Sequence, residues 1–424
     1  MEERWKHHSG FIMAAVGAAV GLGNLWKFPF ITGVHGGGAF VMVYLLSLAF
    51  IGIPALWSEV GLGVKFQLPM WKVLPQMFGG HGLALLCFLS MTLVVSFYSV
   101  VGGWILACWV ESWDGSLFLS TEVAQSFLSS LQSQNLLNLS WQYAFLLCSF
   151  GVVTLGVQSG IEMVSRLLMP LLLALLLILL AQSFTLPGFH KACDFLFVPH
   201  FEALGVLGVQ EAMGHAFFTL SVGGGAMMTY GSYLERGTSL AKPIFWIVVV
   251  DTLVALMAGL VIFSCVFSYD VEPAAGPVLV FQTLPVLFSQ MKSGWFFGNL
   301  FFMLVFITAL TSMLSLIEVL ITFFMTLFDF SRKKSALCCL VWLFAPSLLC
   351  GLSWHPDSQL AYAGKNIFEW FDFGVSSFFI PIGGLCFVLL YGWCAAEHLL
   401  GKIVCRWLTP TLLIGLFVRT WWNL

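Results

Sequence analysis

The sequence predicts an all-α polytopic membrane protein, on three observations. Of 424 residues, 60% are hydrophobic and only 9% are charged, against roughly a quarter charged in soluble domains. The mean hydropathy is +0.97. The apolar residues form long runs, such as 167–180 and 296–310, that approach or exceed the ~20 residues a helix needs to cross a bilayer. Strands closed as a barrel would give short alternating segments, and a coiled coil would give heptads. The net charge of −3 provides no basic field, which excludes nucleic acid as an expected partner.

Hydropathy, loop chemistry and Gly/Pro punctuation place about eleven spans in order. The first, 9–32, continues past any small-residue cleavage site into a Gly-rich segment, so it does not read as a cleavable signal. The second, 38–65, opens on the Gly36–Gly38 run and closes at Lys65. The third, 81–113, follows Gly79–Gly80 and runs to an acidic, Gly-containing loop. The fourth and fifth, 141–157 and 163–184, are parted by a short polar stretch, and Pro187–Gly188 closes the fifth. The sixth is 211–234 and the seventh, 242–268, begins at a basic residue and ends before an acidic loop. The eighth, 294–328, is the longest, and the ninth, 335–351, follows Arg332–Lys334. The tenth and eleventh are 367–397 and 405–421.

With the amino terminus inside, twelve Lys and Arg residues fall on the inner side. Five, Lys27, Lys191, Lys292, Lys365 and Arg419, fall outside. The positive-inside rule selects this orientation, with the amino terminus cytoplasmic and the carboxyl terminus outside. The eleven cysteines are odd in number, and most, such as Cys87, Cys108, Cys148 and Cys386, lie within apolar runs as small hydrophobes. They read as neither a disulfide nor a metal framework.

Two spans are interrupted. The first reads AAVGAAVGLGNLWKFP over 14–29, with Gly17, Gly21 and Gly23 loosening the helix before Asn24. The sixth reads FTLSVGGGAMMTY over 218–230. These are equivalent members of two five-helix halves, and paired broken helices point to a transporter site near the bilayer midplane. Hydrocarbon cannot satisfy the freed N–H and C=O groups, so a break persists only where it lines a cavity or a ligand. Helix amino-terminal ends then suit a carboxylate, and freed carbonyls suit a hard cation such as Na⁺.

The segments GAAVGLGNLWKFP (17–29), GGGAFVMVYLLSLAFIGIPALWSEVGLG (36–63), 98–104, FFTLSVGGGAMMTYGSY (217–233) and ALTSMLSLIE (309–318) resemble, in order, the neurotransmitter:sodium symporter family in its bacterial amino-acid-transporting branch. The resemblance implies a LeuT-type fold of two inverted five-helix repeats, 1–185 and 186–398, followed by an additional helix in 399–424. It also implies location in a bacterial inner membrane. Its first sodium site falls on Ala19, Asn24, Thr219 and Asp251. Its second falls on Gly17, Val20, Thr308, Thr311 and Ser312, all oxygen donors as sodium requires. Its substrate pocket falls on Ala18, Ala19, Gly21, Leu22, Gly23, Val94, Tyr98, Phe218, Thr219, Ser221, Gly224, Ser312, Ser315 and Leu316. Its outer gate falls on Lys27 and Asp372, with Lys in place of the usual Arg.

Asp251 also carries an argument of its own, because an unpaired carboxylate within a span is costly and marks a functional site by default. Its charge is expected to make chloride unnecessary. Glu59 and Glu318 are further intramembrane acids and are assigned no ligand role. The inner gate departs from the family, since Arg4 directly precedes Trp5 and Thr326 stands where an acid is usual. Gly21 stands where monoamine carriers place an Asp, so an amino acid is the expected substrate. Gly224 stands where a bulky residue is common, which favours a large apolar side chain unless Met227 or Met228 refills the space.

Sodium-coupled import of a neutral amino acid is the leading reading. A transporter-shaped sensor or an uncoupled channel is the second. An intramembrane enzyme would need His215 to serve Ser221, and six residues apart on a helix they lie on different faces.

Overall fold

The computed structural model describes residues 4–77, 79–269, 279–291, 293–396 and 398–422, without the side chains of 400 and 416–422. Lys292, Glu397 and the side chain of Arg419, which entered the assignments above, lie outside the described residues. The main described helices are α1 (His8–Ala19), α2 (Gly23–Val34), α3 (Gly38–Phe66), α4 (Gly80–Glu111), α5 (Thr121–Ser133), α6 (Asn135–Thr154), α7 (Val157–Ser183) and α8 (Phe189–Phe197). They continue with α9 (Gly205–Phe218), α10 (Ala226–Ser232), α11 (Ala241–Ser268), α12 (Leu284–Gln290), α13 (Gly294–Phe328) and α14 (Arg332–Leu352). A small antiparallel hairpin, β1 (Ala361–Tyr362) and β2 (Lys365–Asn366), precedes α15 (Ile367–Cys394) and α16 (Thr409–Trp422).

Among the described residues, eight helices are long and apolar enough to cross a membrane, or nine with α1 and α2 taken as one bent span. The expected sixth span is present as α9 and α10, each too short alone because 219–225 between them is not helical. The connecting helices α5, α8 and α12 and the hairpin were not expected from the sequence.

The longest helix, α13, is also the most enclosed: 89% of its most apolar window is buried, against 33% for α7. It is the central pillar, and α1, α4, α7 and α14 pack on it. Outward-facing Leu167, Val341 and Phe344 cover the periphery, where acyl chains provide the matching solvent.

Burying apolar surface gains little between helices in lipid, so close backbone approach and buried hydrogen bonds hold such a bundle. Helices α3 and α10 meet at glycines: a Cβ on Gly231 would lie 2.6 Å from the Val60 carbonyl oxygen, and one on Gly63 would lie 2.7 Å from the Ser232 nitrogen. Helices α4, α6 and α14 are pinned by polar side chains. Trp104 Nε1 donates to Asn138 Oδ1 (2.8 Å), Asn138 Nδ2 donates to the Gly351 carbonyl (3.1 Å), and Gln142 Nε2 donates to the Ser347 carbonyl (2.8 Å). This frame carries the two breaks.

Candidate functional site

The first break follows Ala19, where Val20 takes φ −70° and ψ 86° and leaves the helical region. The chain bends by 44° into α2. In the second break, Ser221, Gly223 and Gly225 all have positive φ, at 52°, 96° and 82°. Glycine adopts this region freely, whereas a serine there is strained. Ser221 is held by its hydroxyl, which donates to the Ala18 carbonyl at 2.6 Å and so ties the two breaks together. The buried Glu59 of α3 accepts from the Gly223 N–H and lies among the freed N–H groups that open α10.

The backbone therefore dictates glycine at 223, where a Cβ would also fall on the Ile380 carbonyl oxygen. Gly223→Ala is expected to lose about 1–2 kcal/mol to the left-handed conformation alone. It should lower both the melting temperature in detergent and substrate affinity. A variant as stable and as active as the parent would contradict this.

Three elements converge at Asp251 of α11, which is fully buried. Asn24 Nδ2 donates to Asp251 Oδ1 at 2.8 Å and to the Asp251 carbonyl at 3.1 Å. The Thr219 hydroxyl donates to the carboxylate at 2.9 Å, and Asn24 Oδ1 accepts from the Gly21 N–H at 3.1 Å. The carboxylate is thus met by neutral donors, and its charge remains available to a cation. The atoms here that could ligate a cation, the Asp251 carboxylate, the Thr219 hydroxyl and Asn24 Oδ1, are oxygens, and no group of three or more His, Cys, Asp and Glu residues suited to a metal ion occurs among the described residues. Ala19 is the last residue of α1 and lines the cavity between the breaks.

A second oxygen cluster lies where α13 meets the end of α1. Ser312 Oγ lies 3.2 Å from the Gly17 carbonyl, 3.3 Å from that of Ala18 and 3.4 Å from that of Val20. The Thr311 hydroxyl lies 3.2 Å from the Thr308 carbonyl, and the Thr311 Cβ is 3.1 Å from where a Cβ on Gly17 would stand. Carbonyls freed at a helix carboxyl-terminal end carry partial negative charge. The five residues expected of a second sodium site are therefore neighbours.

Between the breaks is a cavity lined by every residue expected of the substrate pocket except Thr219 and Ser315. Thr219 turns to Asp251, and the Ser315 hydroxyl donates back to the Ser312 carbonyl at 2.8 Å. Tyr98 OH accepts from the Leu22 N–H at 3.5 Å. A Cβ on Gly21 would lie 2.8 Å from Ser312 Oγ and 3.7 Å from Tyr98 OH. At this end the cavity offers freed N–H groups and hydroxyls, and the walls beyond are apolar.

The model of the sodium:neurotransmitter symporter family matches residues 2–121 and 117–402. The chain belongs to this family. An uncharacterised sodium-dependent transporter of Bacillus subtilis, YhdH, is 37% identical over 90% of this chain and 86% of its own length. The neutral amino acid transporter B(0)AT3 of Rattus norvegicus is 29% identical over 62% of this chain and 47% of its own. The solved structure of MhsT in complex with L-phenylalanine matches with a TM-score of 0.91 and 36% identity, covering 99% of both chains. The symporter described here is accordingly a sodium-dependent membrane transporter with the LeuT-type fold, and not an enzyme.

The two ends of the symporter's pathway differ. On the hairpin side, Tyr98 and Phe218 line both the inner cavity and a wider vestibule. The expected gate residues face that vestibule and are linked through Ser376. Lys27 Nζ lies 3.5 Å from Ser376 Oγ, which donates to Asp372 Oδ1 at 3.0 Å. Lys27 also stands 4.4 Å from the centre of the Phe218 ring. At the opposite end Trp5 plugs the bundle, with Nε1 donating to the Tyr230 carbonyl at 2.9 Å and its ring edge-on to Phe11, Tyr230 and Tyr233. Behind it Tyr233 OH donates to Glu318 at 2.7 Å, and Arg332 forms a buried ion pair with the same carboxylate.

Sequence reading missed three cavity residues of the symporter: Met91, Val222 and Ile380. Met91 had a usable signal, since 91, 94 and 98 follow the i, i+3, i+7 rule of one helix face. Ile380 arrives from a distant helix and had none.

Proposed function

We propose that this symporter imports a neutral amino acid with a large hydrophobic or aromatic side chain, coupled to two sodium ions, by alternating access. The meeting of Asn24, Thr219 and Asp251 at two facing helix breaks carries the reading. Among the described residues the buried Asp251 carboxylate has only neutral partners, which calls for a cation, and the freed N–H groups and the Tyr98 hydroxyl at the cavity end suit a substrate carboxylate that would complete the ion's shell. Ala19 and the 17, 20, 308, 311 and 312 group would hold the ions. Phenylalanine bound by MhsT supports the substrate class. With the amino terminus cytoplasmic, in a bacterial inner membrane, the vestibule opens outward and the Trp5 plug is the closed inner side. The half-chains 1–185 and 186–398 would be the inverted repeats.

A panel of radiolabelled amino acids offered to proteoliposomes tests this. Uptake is expected only with sodium, with Trp, Phe, Tyr, Leu or Met outcompeting Gly and Ala. Replacing chloride with gluconate should leave it intact, because Asp251 supplies the negative charge. A decarboxylated amine should bind far more weakly than its parent. Equal binding of the amine, or collapse in gluconate, would refute the corresponding assignment.

A further inference from the structure

The three glycines of the second break are not equivalent. Gly223 and Gly225 have positive φ, and Cβ atoms there would strike the Ile380 carbonyl oxygen and the Met70 sulfur. Gly224 has no such conformation and lies on the cavity wall. A Cβ on it would fall on the terminal methyl of Met91 and lie 3.1 Å from its sulfur. The thioether of Met91 therefore stands where a side chain at 224 would stand. Met227 and Met228, the expected fillers, are fully buried and do not line the cavity.

Met91 lies on α4, one turn before Val94 and two before Tyr98, and all three line the cavity. Its arm is unbranched, with three rotatable bonds, and suits irregular and changing gaps. At Gly224 the arm meets only a hydrogen, so no branched side chain locks it there.

We propose that Met91 is a specificity-determining residue, its thioether forming a movable end wall that fills the space left by Gly224 and withdraws when a large side chain enters. The proposal rests on the amino acid reading above. It makes one pocket serve a range of substrate sizes and assigns the upper limit to α4 as well as to the break.

The test is competition by Trp and by Ala against sodium-dependent phenylalanine uptake in proteoliposomes, read as the ratio of their half-inhibitory concentrations. Met91→Ala, which removes the wall, is expected to shift that ratio toward Trp by roughly tenfold or more, the scale on which a pocket discriminates by a few methylenes. Met91→Leu keeps the volume but stiffens the arm, and should shift it toward Ala. Gly224→Ala should also shift it toward Ala, and should do so much less in the Met91→Ala background, where no methyl has to move. Ratios unchanged in both Met91 variants, or an equal effect of Gly224→Ala in both backgrounds, would overturn the proposal. A parent chain with no sodium-dependent amino acid uptake would overturn the underlying reading instead.

Discussion

Asp251→Ala is expected to raise the sodium concentration for half-maximal uptake by on the order of 100-fold. Partners that merely orient a metal ligand are each worth 10–100-fold in affinity, and Asp251 is proposed as a charged ligand itself. Its loss also strands the Asn24 amide and the Thr219 hydroxyl, which both donate to it. Sodium and substrate stabilise each other's sites in this account, so substrate affinity must fall too, by reciprocity of the coupling free energy. Asp251→Asn, which keeps an oxygen but removes the charge, should lie between. Unchanged sodium dependence in Asp251→Ala would refute the assignment.

Arg332→Ala should be the most destabilising change outside the candidate site. The Glu318 side chain is fully buried, and that of Arg332 is 11% exposed. Arg332 Nε also donates to the Val153 carbonyl at 2.8 Å, bridging α13, α14 and α6. Removing one member of such a pair leaves a buried charge uncompensated and costs about 3–5 kcal/mol. Arg332→Ala/Glu318→Gln should recover most of that loss, because no charge is then stranded. Thermal unfolding in detergent reads both. A single variant as stable as the parent, or no recovery in the double, would contradict the role given to the pair.

Most of the candidate site was legible in the sequence because its signals are local and costly. The Gly17, Gly21 and Gly23 series before Asn24, the three glycines after Ser221, and an acid at 251 in an apolar run each break a rule of membrane helices. Broken rules are visible without a fold. The closed end was only partly legible: Glu318 stood out as an intramembrane acid and Trp5 as the neighbour of Arg4, but Trp5, Tyr233, Glu318 and Arg332 come together from four distant segments, and their meeting had no local signal. Lys27 and Asp372 were legible as a pair, but the Ser376 link between them was not. Met91 shares a helix face with Val94 and Tyr98, but a methionine in an apolar helix looks like core until the glycine opposite is located in space.

The most direct test is uptake of radiolabelled phenylalanine into proteoliposomes of the purified chain, with an inward sodium gradient or an equal potassium gradient outside. Accumulation above the external concentration with sodium alone, abolished by a sodium ionophore and lost in Asp251→Ala, is the predicted result. Equal phenylalanine accumulation in potassium, or equilibration with no uphill phase in sodium, would contradict sodium-coupled transport at the paired breaks.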